Sequence, residues 1–319
     1  MTASQTRSSA SSGAKYALSI VIPCASPRDP HLLELLASIE RQSFPKERLE
    51  VLVMSQGNSE EARTAGILKA RGTIIGCLDA DNQLLGYETL QRLYDAASRW
   101  DVSGAYPSHY AWFSDDPPLN RYFALLGAND PLAWWLGKAD RRSWLVAPGT
   151  GTVVFGRSIP TLGSNGFFVK RWIIQQFAAQ GVGHIDTCEL MRQAGHATYA
   201  VVDTVIWHKT GTTLWSWLRK RYHYARTLYF QQLPRRQWLM VASPRDWLLV
   251  GLFGVASLLL LPHLWLSVRG YRRVRDWSWL LHPVACLGLT CVYSLAWAQH
   301  VMGRTVMAVA KTCKWSRGR

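Results

Sequence analysis

Strands and helices alternate through the first hundred residues of this 319-residue chain. The run ALSIVIP at 17–23 is apolar and rich in β-branched residues, which is typical of a strand covered on both faces. A helix should follow in DPHLLELLASIERQ, with Asp29 as its N-cap and Pro30 at its first position. The strand EVLVM, a helix capped by Ser59 and the strand TIIGCL continue the series. This order predicts a parallel, doubly wound α/β sheet.

Two carboxylates, Asp79 and Asp81, follow the third predicted strand in the sequence CLDADN. Ligands of doubly wound sheets bind outside the carboxyl ends of the strands, so both acids are expected at a binding edge. Neighbouring carboxylates repel each other unless a cation lies between them, and oxygen ligands suit Mg²⁺ or Mn²⁺. The sequence therefore predicts a divalent metal site, with a chance acidic triplet on a solvated turn as the alternative.

The basic charge of the chain is concentrated in residues 213–319, which hold 16 Lys and Arg against 2 Asp and Glu. The same part contains apolar segments at 247–268 and 277–303, each long enough to cross a bilayer as a helix. Because the charges flank these segments, we expect an anionic membrane surface as their partner and no nucleic acid. The arginine-rich linker between the segments opposes a simple spanning hairpin, so a re-entrant or interfacial segment is the alternative.

The six cysteines show neither CxxC nor ligand spacing, so the sequence implies neither disulfides nor zinc. The predicted organisation has five parts: a disordered extension at 1–16, an α/β domain at 17–212, a basic amphipathic interfacial segment at 213–245, two apolar membrane segments at 246–303 and a basic tail at 304–319.

Several motifs, taken in order, resemble family 2 glycosyltransferases with the GT-A fold: LSIVIP, EVLVM, ARTAGI, KARG, CLDADN and GSNGFFVKR. The resemblance covers roughly residues 18–226. It implies a Rossmann-like, mostly parallel catalytic domain, followed here by an interfacial helix and C-terminal membrane helices. It also implies inverting transfer of a sugar from a nucleotide-sugar to an acceptor hydroxyl or phosphate, with Mg²⁺ or Mn²⁺ as cofactor.

The resemblance assigns several residues to the nucleotide. Pro23 and Ala25 correspond to the loop around the base, and Ser55 stands where the family has an acid that accepts a hydrogen bond from it. Arg63 and Arg71 correspond to positions on the nucleotide side, and a solvated helix face is the alternative for either arginine.

The resemblance also assigns residues around the diphosphate. Asp79 and Asp81 match the metal-diphosphate motif, with Asp81 as the direct ligand. Asn165 and Gly166 of GSNGFF match the donor–acceptor loop, for which an ordinary tight turn is the alternative. His208 follows a predicted strand and is expected against the metal or the diphosphate, although a structural histidine is the alternative.

The catalytic base has two candidates in GVGHIDTCELMRQAGH. Counting back from RQAG places His184 at the family's usual Asp position, whereas matching the acidic residue itself selects Asp186. We prefer Asp186, and an N-terminal helix cap with its neighbour is the alternative for both.

The sequence thus predicts a metal-dependent, inverting hexosyltransferase at the inner membrane, with its catalytic domain facing the cytoplasm. The predicted acceptor is lipid-linked, within cell-envelope polysaccharide or glycolipid synthesis, and a single sugar is moved. Two alternatives are a polyprenyl-phosphate glycosyltransferase, whose phosphate nucleophile needs no base, and a catalytically silent membrane scaffold that kept the fold.

Overall fold

The computed structural model describes residues 15–210 and 213–316, with side chains as far as residue 302. The predicted extension at 1–16 therefore lies outside the described residues except for its last two positions. The side chains of the predicted tail at 304–319 lie outside them as well.

The chain divides into two compact units. The first comprises the described residues of Met1–Pro107, Thr150–Phe155 and Gly163–Val202. The second comprises Ser108–Gly149, Gly156–Leu162 and the described residues of Asp203–Arg319. Residues 108–149 thus group with the C-terminal helices. The predicted limits of the five parts stay a prediction.

The strands of the described ranges form one eight-stranded sheet, in chain order β1 (Leu18–Pro23), β2 (Leu49–Met54), β3 (Ile74–Cys77), β4 (Asn82–Leu84), β5 (Gly104–Ala111), β6 (Gly151–Val154), β7 (Phe167–Lys170) and β8 (Thr198–His208).

The first three strands pair in parallel, as their apolar sequences predict. Leu18 of β1 lies opposite Leu49 of β2 on one side and Ile74 of β3 on the other. Strand β7 runs antiparallel between β3 and β5, and β6 runs antiparallel to β8. Every residue of β1 and β3 is buried. The predicted α/β fold class is confirmed.

The helices of the same ranges are α1 (Pro30–Glu40), α2 (Ser59–Lys69), α3 (Thr89–Ser98), α4 (Pro118–Leu126), α5 (Pro131–Trp135), α6 (Arg171–Phe177), α7 (His184–Gln193), α8 (Leu214–Tyr224), α9 (Pro244–Leu259), α10 (Leu261–Arg273) and α11 (Leu281–Ser316).

The predicted helix starts are correct for α1 and wrong by one residue for α2. Asp29 caps α1 by accepting the N–H of His31. The N-cap of α2 is Asn58 rather than Ser59. Asn58 accepts the N–H of Glu61, whose carboxylate in turn accepts the N–H of Asn58. This reciprocal capping box satisfies donors at both positions and makes Ser59 the first helical residue.

Helix α2 lies directly on β1 in the first unit. Gly66 faces the strand, and a Cβ at this position would lie 2.4 Å from Val21 Cγ1. The glycine therefore permits a close approach of helix and sheet, which carries the first turn of α2 towards the end of β3.

In the second unit, residues 108–149 bind the C-terminal helices through polar contacts. Arg121 of α4 forms a 3.0 Å ion pair with Asp276. Lys138 is buried and forms another at 3.0 Å with Asp246 of α9. Burial of such pairs stabilises the fold only with both partners present, so these residues fix α4 and the chain after α5 to the helices.

The two predicted apolar segments differ in structure. Residues Trp277–Met302 are long and apolar enough to cross a membrane by length and composition. The segment at 247–268 is not one helix, because α9 and α10 meet at 85°. Leu260 at the break has φ +61°, and Pro262 follows it. Proline cannot supply the N–H that would continue α9, so this pair is a broken span or a re-entrant loop.

Candidate active site

The loops after the parallel strands emerge at one edge of the sheet. Pro23, the last residue of β1, lies opposite Met54 of β2. Cys77, the last residue of β3, lies opposite Val21, which precedes Pro23 by two residues. Pro23 is buried, whereas Ala25 and Ser55 are exposed in the loops that follow their strands. The structure thus brings the residues predicted around the base to the edge at which CLDADN begins.

The GSNGFF loop meets this edge because β7 is antiparallel to β3. Gly166 donates its N–H to the carbonyl of Cys77 at 2.8 Å. Asn82, which is fully buried, donates from Nδ2 to Oδ1 of Asn165 at 3.0 Å and accepts the N–H of Asp79 at 3.0 Å. Asn82 therefore joins the acidic motif to the glycine loop.

The backbone of the glycine loop is left-handed at three positions. Gly163, Asn165 and Gly166 have φ values of +118°, +52° and +88°. A Cβ at Gly163 would also lie 2.9 Å from the carbonyl oxygen of His184. This loop therefore needs glycine for its conformation and for its close approach to the start of α7.

Arg63 is buried on α2 and connects three side chains. Its Nη2 donates to Asp79 Oδ1 at 2.6 Å, and its Nη1 donates to Glu60 Oε2 at 2.6 Å. Nη1 also lies 3.2 Å from His184 Nδ1. Burial opposes the charge of Arg63, but the carboxylates of Asp79 and Glu60 outweigh it and raise the pKa of the guanidinium. The solvated-face alternative is therefore wrong for Arg63.

His184 begins α7 and is held by Glu60 at two points. Its backbone N–H donates to Glu60 Oε2 at 2.9 Å, and its Nδ1 lies 2.7 Å from Oε1. A carboxylate can only accept, so Nδ1 is the donor. Burial alone would raise the pKa of Glu60, but the charge and hydrogen bond of His184, with those of Arg63, hold it well below its usual range.

Sequence reasoning missed Glu60, which by sequence is only a charge in the first turn of α2. Its spacing of three residues from Arg63 signals an ion pair on one helix face. Nothing in the sequence signals its contact with His184, which lies 124 positions away.

The two candidate bases differ in exposure. Asp186 is fully buried within α7. The side chain of His184 is 22% exposed and belongs to the cluster of Glu60, Arg63 and Asp79. His184 is therefore the candidate that solvent and a ligand can reach.

Arg71 lies at the other edge of the sheet. The residue precedes β3, and its Nε donates to Glu50 Oε1 at 2.7 Å, beside the first residues of β1. Residues before a parallel strand emerge at its amino end, whereas the loops around Asp79 follow the carboxyl ends. The structure therefore does not bring Arg71 to the side on which the sequence analysis expected it.

His208 ends β8 in the second unit. Its ring centroid lies 5.4 Å from that of Tyr110. Its role beside a metal or a diphosphate stays a prediction.

The acidic motif offers donor atoms that fit Mg²⁺ or Mn²⁺. Asp79 and Asp81 are half-buried, so their carboxylates face solvent at the edge of the sheet. Arg63 engages only Oδ1 of Asp79. Asp81, with the second oxygen of Asp79, thus offers the hard oxygen ligands that these cations prefer.

The sequence model described as Glycosyl transferase family 2 matches residues 54–138, which include the acidic motif. This match confirms the resemblance that the motifs indicated. Among solved structures, the chain is similar to the mannosyltransferase PcManGT from Pyrobaculum calidifontis in complex with GDP-Man and Mn²⁺, at 14% identity over 87% of this chain and 86% of that chain, with TM-score 0.47. It is also similar to TarS 1–349 of S. aureus, at 11% identity over 90% of this chain and 91% of that chain, with TM-score 0.40. No curated protein sequence matches the chain.

Proposed function

We propose that this chain is a family 2 glycosyltransferase and that it moves a single sugar, with inversion, from a nucleotide-sugar to a lipid-linked acceptor at the membrane. The observation that carries the proposal is the hydrogen bond between Asn82 and Asn165. It holds the acidic motif and the glycine loop together at the carboxyl edge of the parallel strands, where α/β folds bind nucleotides.

The donor is held by residues of the first unit. The loops of Pro23, Ala25 and Ser55 receive the base, while the backbone of Asn165 and Gly166 faces the sugar. Asp81 and the free oxygen of Asp79 would hold Mg²⁺ or Mn²⁺, which neutralises the charge of the leaving diphosphate when bound. Arg63 keeps Asp79 in place through its 2.6 Å hydrogen bond. His208 is proposed as a further residue beside the diphosphate.

His184 is proposed as the base, in place of our preference for Asp186. With Nδ1 bonded to Glu60, Nε2 is the nitrogen that can take a proton. The acceptor oxygen forms a bond to the anomeric carbon while the bond to the diphosphate breaks. The acceptor proton passes to Nε2, and the electron pair of the broken bond leaves with the nucleoside diphosphate. Glu60 stabilises the imidazolium that results.

A membrane acceptor is supported by the second unit. Trp277–Met302 is long and apolar enough to span, and large apolar side chains of α9 and α10 are more than half exposed, including Trp247, Leu258 and Trp265. An exposed apolar surface of this kind suits lipid. The exposed Arg219 and Lys220 of α8 suit anionic headgroups. We propose the inner membrane as its location, with the catalytic domain facing the cytoplasm, and cell-envelope polysaccharide or glycolipid synthesis as its role.

The first experiment measures donor turnover by the detergent-purified chain with Mn²⁺, across a panel of nucleotide-sugars. We expect hydrolysis of one donor that is lost on chelation and in Asp81→Ala. No binding or hydrolysis of any donor, even with a lipid extract added as acceptor, would favour the silent scaffold.

A second pair of variants tests the base. His184→Ala should lower transfer about 10²- to 10⁴-fold at unchanged donor binding. Asp186→Asn should act mainly on thermal stability, since the residue is buried. Loss of transfer confined to Asp186→Asn, at unchanged melting temperature, would return the role to Asp186. Full transfer to polyprenyl phosphate by both variants would identify that lipid as the acceptor, since a phosphate nucleophile needs no base.

A further inference from the structure

Three metal-ligating side chains meet in the interior of the second unit. His263 of α10, His282 and Cys286 of α11 are each at most 1% exposed. His263 Nδ1 lies 3.2 Å from His282 Nε2, and Cys286 Sγ lies 3.6 Å from the same Nε2. One ligand atom from each residue lies within 4.8 Å of the others.

Each imidazole has a hydroxyl partner on its far nitrogen. Ser257 Oγ lies 3.2 Å from His263 Nε2, and the hydroxyl of Tyr122 lies 2.7 Å from His282 Nδ1. Either hydroxyl can accept a ring N–H. With those protons on the far nitrogens, His263 Nδ1 and His282 Nε2 both present lone pairs to one point. Outer hydrogen bonds of this kind fix the tautomer of histidines that bind metals.

Two of the three distances between ligand atoms are close to the edges of a tetrahedral site. Bond lengths of about 2.0–2.1 Å to nitrogen and about 2.3 Å to sulfur give edges of about 3.3 Å between two nitrogens and about 3.5 Å between nitrogen and sulfur. The observed distances are 3.2 Å and 3.6 Å, and because Cys286 Sγ also lies 3.7 Å from His282 Nδ1, the thiol must turn towards the Nε2 lone pair to complete the site. The third edge, from His263 to Cys286, is at most 4.8 Å long and needs at most about 1.3 Å of side-chain movement to close.

We propose that His263, His282 and Cys286 bind a borderline or soft metal ion, Zn²⁺ in the first instance, with Cu⁺ sharing the same ligand chemistry. Binding replaces the thiol proton of Cys286, which is released to solvent as the metal–sulfur bond forms. The sequence implied no zinc, because two of the ligands are four residues apart on α11 while His263 lies 19 positions before His282. The proposal is independent of the catalytic reaction.

The bound metal would act as a structural cross-link between α10 and α11. His263 follows the break at Leu260, whose φ of +61° is strained for a leucine. The other two ligands come from α11. A bound metal would therefore fix the 85° turn between α9 and α10 against α11. The rings of Trp135 and Phe253 lie 5.8 Å and 5.4 Å from that of His263, which keeps solvent away from the site.

The test measures zinc and copper in the full-length chain, purified in detergent, by elemental mass spectrometry. We expect about one ion per chain in the wild type and in the control Cys291→Ser, whose thiol is exposed on the same helix. Cys286→Ser and His263→Asn should each retain less than about a tenth of the metal that the wild type binds.

A second measurement separates metal loss from misfolding. The wild-type chain is stripped with a strong chelator and given Zn²⁺ again, and its melting temperature is followed. Stripping should lower it and Zn²⁺ should restore it, whereas Zn²⁺ should leave Cys286→Ser unchanged. A metal-free wild type with an unaltered melting temperature, or equal metal in Cys286→Ser and wild type, would overturn the proposal. The cluster would then be a buried hydrogen-bonded chain from Tyr122 to Ser257.

Discussion

Asn82 and Asn165, 83 positions apart in the chain, are joined by a 3.0 Å hydrogen bond between their side chains. Asn82 is fully buried, and its carbonyl oxygen also accepts the N–H of Asp79. One amide thereby sets the position of the acidic motif relative to the glycine loop. The proposed donor site depends on this hydrogen bond, because transfer requires the diphosphate and the sugar to be held at fixed positions relative to each other.

Removing the Asn165 side chain should break its hydrogen bond with Asn82 without straining the backbone. Asn165→Gly keeps the left-handed conformation at φ +52° but removes the 3.0 Å acceptor of Asn82 Nδ2, which then keeps only its longer 3.3 Å hydrogen bond to Asp81 Oδ1. We expect donor turnover to fall about 10- to 100-fold, since small misplacements of a reacting group have effects of this size. The control Gln180→Ala, on an exposed amide in the same unit, should retain full turnover. Equal turnover by Asn165→Gly and wild type would show that the hydrogen bond between Asn82 and Asn165 does not position the donor.

Arg63 should contribute to stability as well as to the site. Arg63→Ala leaves the carboxylates of Asp79 and Glu60 without their cation, and we expect the free energy of unfolding to fall by about 2–3 kcal/mol. Denaturant titration of the detergent-purified chain measures the change. Arg41→Ala, at an exposed position after α1, should change it by less than about 0.5 kcal/mol. If Arg63→Ala were as stable as the control, Arg63 would not be the cation that stabilises Asp79 and Glu60.

The two aspartates of the acidic motif should differ in metal binding. Oδ1 of Asp79 accepts a 2.6 Å hydrogen bond from the charged Arg63, whereas Oδ1 of Asp81 accepts a longer 3.3 Å bond from the neutral amide of Asn82, so Asp81 is expected to be the principal ligand. Asp81→Asn should weaken Mn²⁺ binding about 100-fold or more and Asp79→Asn about 10-fold. Electron paramagnetic resonance of free Mn²⁺, titrated in the presence of nucleoside diphosphate, measures both affinities. If Asp79→Asn weakened Mn²⁺ binding more than Asp81→Asn did, Asp79 would have to release Arg63 in order to bind the metal.

Glu50 should make stability depend on pH. Burial would raise its pKa, but hydrogen bonds from Ser19 and Arg71 lower it below the ordinary value of 4.5. A lowered folded-state pKa means that the stabilisation is fully present above about pH 4.5 and is lost as the pH falls through the folded-state value. Glu50→Gln should therefore cost about 1 kcal/mol near neutral pH, with a smaller difference from wild type in acid.

Chemical unfolding at several pH values measures this difference. Glu40→Gln is the matched control, because Glu40 is exposed and lies only in a 3.5 Å surface pair with Lys46. A difference between Glu50→Gln and wild type that grows as the pH falls would contradict a lowered pKa of Glu50 in the folded state.

Much of the α/β order was predictable because it depends on local chemistry. Continuous apolar runs identified β1 and β3, and Asp29 before Pro30 marked the start of α1. The position of Asp79 after β3 followed from the same reasoning. Local patterns failed where two residues compete, as at the start of α2, where Asn58 prevails over Ser59 because it forms a reciprocal cap with Glu61.

The assembly of the site was not predictable from local patterns. The family resemblance selected GSNGFF, but the antiparallel direction of β7 brings that loop to Asp79. The same sheet geometry separates Arg71 from Asp79, although the two residues are only eight positions apart in the chain. Glu60 and His184 form a pair only because α7 begins beside α2.

The sequence by itself determined the α/β order, the acidic motif at a strand end and the apolar, basic character of the C-terminal part. Each of these depends on side-chain period, charge or conformational preference within about ten residues. Tertiary structure alone decided which side chains meet: Asn82 with Asn165, Arg63 with Asp79 and His184, and His263 with His282 and Cys286. Such pairings join residues up to 121 positions apart. They depend on strand direction, helix packing and the break at Leu260, none of which a short stretch of sequence specifies.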